Sequence, residues 1–297
     1  MKKSGIRNEI PEKIVLERKC MSKKNDNLYR YSKESPWRFV LVVILYVIGA
    51  ASFPSDFFGL IPENAKALGL LSVFLSRSVC SAVTVWLMFE IKTQSMLGFN
   101  KPKPDVLKAL PFFLVALNNV PFFALHSGSA RISEDVNFGI AVAYALACLG
   151  GVVLEETAFR GLVFPAILRK LEGKKNGVFL SVFLSSLFFG ITHIVNLFGG
   201  ASIGAVVMQV GYSFLVGGMC ATALYITGNI YCPVALHFIY NIGGLATGYG
   251  IIEGNIWTVP QIAATAVVAA VVFVYAVIVL TKTKNPDICE RDLKIPS

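Results

Sequence analysis

Long apolar stretches broken by short polar connections run through this chain from about residue 39 to residue 281, and their lengths predict helices that cross a bilayer. About 20 apolar residues suffice for one crossing. On that measure eight spans are expected, roughly 39–61, 66–91, 106–126, 138–168, 177–198, 203–227, 231–249 and 257–281. The first is weak, because its apolar run ends at Pro54 and Asp56 follows. The fourth is too long for a single crossing and must tilt, bend or protrude. Gly200-x-x-x-Gly204, Gly244-x-x-x-Gly248 and the Gly217-Gly218 pair suggest close helix approaches. The expected fold class is all-α, a polytopic integral membrane bundle, with 1–36 a basic, solvated tail, 37–282 the membrane domain and 283–297 a second tail.

Charge placement supports that count. With the amino terminus inside, the inner segments are the tail before 39, the loops near 92–108 and 169–176, and the tail after 281. They hold 23 of the 27 Lys and Arg, the asymmetry that the positive-inside rule expects. Both termini are therefore expected in the cytoplasm, with the plasma membrane of a bacterium as the setting. Composition agrees: 55% of the residues are hydrophobic and the mean hydropathy is +0.65. The net charge of +9 needs no nucleic acid, since most of it flanks membrane, where anionic head groups are the natural partner. The six cysteines show no paired spacing and read as free thiols.

Against this apolar background three polar clusters stand out, because ionisable groups in hydrocarbon are expensive and are usually kept for function. The first is Glu155-Glu156-Thr157-Ala158-Phe159-Arg160, the second runs from Phe189 to His193, and the third from His237 to Asn241. Residues four apart share a helical face and adjacent ones point about 100° apart. Arg160 therefore stacks with Glu156, and Glu155 is left as the available base. His193 shares a face with Phe189. His237 and Asn241 share another, where an imidazole and a carboxamide together can hold a metal, a polar ligand or a developing oxyanion. A buried polar network that only ties helices together is the competing explanation of all three.

The ordered set Glu-Glu-x-x-x-Arg, Phe-x-x-x-His, His-x-x-x-Asn across three spans resembles the CPBP family of intramembrane proteases. That family includes the CAAX prenyl endopeptidases and bacterial proteins linked to bacteriocin processing and self-immunity. The resemblance covers about 137–250 and implies an intramembrane endopeptidase acting on a membrane-associated protein or peptide. It implies Glu155 as general base, His193 holding or activating the water, and His237 with Asn241 completing the site, Asn241 against the oxyanion. Glu156, Arg160 and Phe189 would support them. The expected mechanism needs no cofactor. The alternative is zinc on Glu155, His193 and His237, a donor set of catalytic type, although no His-Glu-x-x-His motif is present. The rival function is a non-catalytic immunity factor, transporter or scaffold.

Depth raises a difficulty. At about 1.5 Å per helical residue, Glu155 lies roughly 20 Å from the inner end of its span, His193 about 25 Å, and His237 only about 9 Å from the start of its own. Straight helices do not bring these together. A broken or tilted fourth span and a recessed, uncharged connection at 228–233 are therefore expected. Arg77 has no evident partner, His126 reads as interfacial, and Ser185, Ser186 and Ser202 lack the setting of a serine nucleophile.

Overall fold

The computed structural model describes residues 27–53, 60–62, 64–98 and 106–282. Eleven α-helices are described: α1 Asn27–Glu34, α2 Pro36–Ala51, α3 Lys66–Glu90, α4 Val106–Asn118, α5 Phe122–His126, α6 Phe138–Ala158, α7 Phe164–Lys170, α8 Gly177–Thr192, α9 Ile203–Thr227, α10 Tyr231–Gly244 and α11 Val259–Thr281. Two three-residue strands, β1 Ala130–Ile132 and β2 Ile252–Gly254, pair antiparallel with Ala130 opposite Gly254. The fold is an all-α polytopic membrane bundle.

The eight expected spans are not all realised at membrane-crossing length. Among the described residues, five helical stretches are long and apolar enough, namely α3, α6 through α7, α8 with its following turn, α9 and α11. A sixth is reached if α1 and α2, which meet at 109°, act as one broken span. The segment expected over 106–126 breaks at Asn119 and Pro121 into α4 and the five-residue α5. The thirteen residues of α4 rise only about 20 Å, short of the roughly 30 Å hydrocarbon layer. The segment expected over 231–249 is helical for fourteen residues. Helix α1 occupies the end of the segment expected as a solvated tail. There the Tyr29 ring meets the Lys92 ammonium at 4.6 Å and the Arg169 guanidinium at 5.1 Å. Pro54, Asp56, residues 1–26 and residues 283–297 lie outside the described residues.

Local chemistry sets the helix ends that matter for the centre. Asn137 caps α6 by accepting the Ile140 N–H at 3.0 Å, and Ser202 caps α9 by accepting the Ala205 N–H at 3.3 Å. Gly228, at φ 69°, ends α9 in the left-handed region that glycine adopts without penalty. Two close approaches then build the middle of the bundle. Helix α3 lies along α6 where Gly150 leaves room for the Phe74 backbone, and the Thr84 and Thr157 hydroxyls meet at 2.5 Å. Helix α8 meets α9 at two glycines. A Cβ on Gly190 would stand 2.8 Å from Val210 O, and one on Gly217 would stand 3.1 Å from Ser186 Cα. Of the expected small-residue contacts, the approaches at Gly217 and at Gly244, where a Cβ would stand 2.7 Å from Asn119 Nδ2, are therefore present, while Gly200, Gly204 and Gly248 face no other helix.

Candidate active site

The fourth span runs as one helical stretch over Phe138–Lys170 but widens where its polar cluster lies. Pro165 has no N–H and so cannot donate to Gly161 O, the carbonyl one helical turn earlier. The backbone widens instead into a π turn over Phe159–Val163, in which Phe164 N bonds to Phe159 O. The Gly161 carbonyl is not left bare, because the buried Thr93 hydroxyl donates to it at 2.7 Å. Single π turns of this kind recur at functional sites. Here the turn begins one residue before Arg160 and four after Glu155.

The two adjacent glutamates have different surroundings. Glu156 has no exposed side-chain surface; its Oε2 lies 3.1 Å from Arg160 Nε, the i,i+4 pair that helix spacing implied. Arg160, also buried, donates through Nη2 to Gly217 O at 3.1 Å and lies 4.8 Å over the Phe189 ring. His237 Nδ1 is 2.7 Å from the other oxygen of Glu156. Glu155 points elsewhere: its side chain is 28% exposed and its Oε2 is 3.6 Å from His237 Nε2. That separation is longer than a hydrogen bond.

Phe189 is the apolar hinge of the centre. Its ring is edge-on to Phe159, His193 and His237, at centroid separations of 5.1, 5.3 and 5.7 Å. His193 opens a 3-10 turn, His193–Leu197, that follows α8 directly, and its Nδ1 is 3.1 Å from Phe189 O. A carbonyl can only accept, so Nδ1 carries the proton and Nε2 is left with its lone pair. The same logic applies to His237 in its neutral form: Nδ1–H donates to the Glu156 carboxylate, and Nε2 is basic. Both imidazoles are thus held in one tautomer.

Glu155, His193, His237 and Asn241 line a single cavity of about 220 Å³. The Asn241 carboxamide makes no hydrogen bond to a described residue, while its carbonyl and that of Ile242 accept from Tyr144 OH at 3.2 and 2.8 Å. The residues suggested as zinc ligands share this cavity, but among the described residues no three His, Cys, Asp or Glu side chains converge as a ligand set. Asn229 and Ile230, in the connection expected to be recessed, are buried, and Ile230 N bonds to Met96 O at 3.0 Å. Of the other polar residues, Arg77 donates to Ala51 O at 2.5 Å and His126 is exposed at the end of α5.

Sequence reasoning passed over three contributors: Asn196, Gln209 and the Tyr212–Tyr240 pair, all on the cavity wall. Gln209 carried a signal, being the single carboxamide in the apolar stretch 203–227. Tyr212 and Tyr240, with ring centroids 6.4 Å apart, also border a second cavity of about 280 Å³. It is walled mainly by apolar residues such as Phe112, Phe183, Met219 and Val272.

Residues 137–243 match the family model described as type II CAAX prenyl endopeptidase Rce1-like. No curated protein and no solved structure matches the chain.

Proposed function

We propose that this chain, which belongs to the CAAX-protease (CPBP) family through residues 137–243, hydrolyses a peptide bond of a membrane-anchored protein or peptide by means of a Glu155-activated water. The observation that carries this reading is the contrast between the two glutamates. Glu156 is sealed between Arg160 and His237, whereas Glu155 reaches the cavity with an uncommitted carboxylate. A general base must be within reach of the proton it takes and must not be locked in another ion pair.

In the proposed step, a water between Glu155 and His193 Nε2 gives a proton to Glu155, and its oxygen attacks the scissile carbonyl carbon. The carbonyl π electrons move onto oxygen, and the Asn241 carboxamide donates a hydrogen bond to that oxyanion. Collapse of the tetrahedral intermediate breaks the C–N bond. The proton held by Glu155 passes to the leaving amine, and Glu155 is a carboxylate again. His237 stays fixed by Glu156 and directs Nε2 at the Glu155 side of the cavity. The Glu156–Arg160 pair supplies position, not protons. The apolar cavity behind Tyr212 and Tyr240 gives the lipid-like group of a prenylated substrate a place beside the bond to be cut.

The test uses purified protein in lipid vesicles with an internally quenched peptide ending in a farnesylated CAAX sequence. Cleavage by wild type and its loss in a normally inserted Glu155→Gln protein is the expected result. Comparative proteomics of cells carrying either protein would then identify the uncleaved substrate. Equal cleavage by wild type and Glu155→Gln refutes the mechanism.

A further inference from the structure

Two carboxamides with no part in the water chemistry face the same cavity. Asn196 lies three residues after His193 on the 3-10 turn, and Gln209 lies on α9; both line the cavity wall. Asn196 Nδ2 donates to Gln209 Oε1 at 2.7 Å. Each carboxamide brings one acceptor oxygen and one NH₂ group. Their mutual bond leaves the Gln209 NH₂ and the Asn196 oxygen, and no described residue takes either. Exchanging O and N in both groups leaves the same set, one NH₂ and one oxygen, so the conclusion does not depend on how the amides are oriented.

That set complements a peptide unit, which offers one C=O and one N–H. The need for such partners is acute here. A backbone amide brought into a poorly hydrated site is costly unless it is hydrogen-bonded. Glu155 and the histidines face the water, and Asn241 faces the oxyanion, so the peptide groups flanking the scissile bond need other partners. The close α8–α9 crossing at Gly190, whose Cβ position faces Val210 O, holds Gln209 at the height of the His193 turn.

We propose that Asn196 and Gln209 form a backbone clamp, binding the C=O and N–H of a peptide unit next to the scissile bond of an extended substrate. The clamp rests on the peptidase reading above and predicts that the site recognises main chain there, whatever the side chain.

The test takes the quenched farnesylated peptide and a set of analogues, each carrying one backbone N-methyl group at a non-scissile position. With wild type, one position raises KM about tenfold with kcat nearly unchanged, the size expected for one lost hydrogen bond of about 1.4 kcal/mol. In Asn196→Leu, which removes the oxygen left to accept the peptide N–H, that same N-methyl group changes KM less than about twofold, because the partner is already gone. If no non-scissile N-methyl group alters KM in wild type, the clamp is refuted without recourse to any variant. If the effects are equal in wild type and the variant, or the variant lowers kcat alone, the pair merely holds the His193 turn and the clamp is refuted. In either case Glu155→Gln remains inactive, which separates failure of the clamp from failure of the reaction. A Glu155→Gln protein that cleaves normally overturns both.

Discussion

His237 Nδ1 lies 2.7 Å from Glu156 Oε1, so the histidine of the third polar cluster is bound to the buried glutamate and only approaches its neighbour Glu155, at 3.6 Å. In the proposed mechanism, adjacent residues of one helix divide two tasks, orientation and proton transfer. The division has measurable consequences.

Glu155→Gln should leave the protein folded and lower the rate of peptide cleavage by about 10²–10⁴-fold, the range for loss of a general base. Glu156→Gln should behave differently. It weakens the hold on His237 and leaves Arg160 without its counter-charge, so a loss of thermal stability in detergent should accompany any loss of rate. Measuring both variants by quenched-peptide turnover and by thermal unfolding checks the division. Equal losses of stability in the two would contradict it.

The Arg160–Glu156 pair is fully buried. Breaking a buried pair by removing one partner leaves an uncompensated charge and typically costs about 3–5 kcal/mol. Arg160→Met should therefore destabilise strongly, and adding Glu156→Gln to it should cost far less than the two single changes summed. Chemical denaturation of the four proteins closes the cycle; simple additivity would mean that the pair does not act as a unit.

Much of this pairing was legible from helix spacing, because Glu156 with Arg160 and Phe189 with His193 are contacts within one turn, and an i,i+4 rule needs no tertiary knowledge. What spacing could not reach was the bond between His237 and Glu156, which joins residues 81 apart in sequence. The eight-span count goes beyond the helices of crossing length among the described residues for a related reason. It scored 106–126 and 231–249 by hydropathy and passed over the Asn119-Val120-Pro121 break, and it had no means of seeing that α10 is short. Pro165 was the overlooked signal for the π turn in the fourth span: a proline five residues after Arg160 removes the very hydrogen bond that a regular α-helix would need there.

The turn before α10 should be shielded. Asn229 and Ile230 are buried, whereas Lys174 and Lys175 are exposed. In a cysteine-free background, single cysteines at 229 and 230 should react with a membrane-impermeant maleimide at least about tenfold more slowly than cysteines at 174 and 175, because a local opening must precede reaction. Equal rates at the four positions would remove the docked turn from the description of the site.

Chelation provides a separate check on the proposed chemistry. Water activation by Glu155 should survive overnight dialysis against EDTA or 1,10-phenanthroline with cleavage of the quenched peptide reduced less than about twofold. A catalytic zinc would instead supply the low pKa of its bound water, and its removal would abolish turnover. Loss of activity that returns with added Zn²⁺ would replace the metal-free mechanism with the Glu155, His193 and His237 alternative.

Thr93 and Pro165 should be energetically coupled although they do not share a bond. Pro165 withholds the N–H that would satisfy Gly161 O, and the Thr93 hydroxyl supplies the missing donor at 2.7 Å. Thr93→Val therefore strands a buried acceptor and should cost about 1–3 kcal/mol. In a Pro165→Ala background the backbone N–H gained at that position can take over Gly161 O, and the same Thr93→Val change should cost less than about 1 kcal/mol. Pro165→Ala also removes the reason for the π turn, so Arg160 and Glu155 lose their relative setting and cleavage should fall even where stability does not. Thermal unfolding of the four proteins measures the coupling, and quenched-peptide turnover of Pro165→Ala measures its consequence. Wild-type turnover in that variant would show that the π turn serves packing alone and that the placement of Glu155 owes nothing to it.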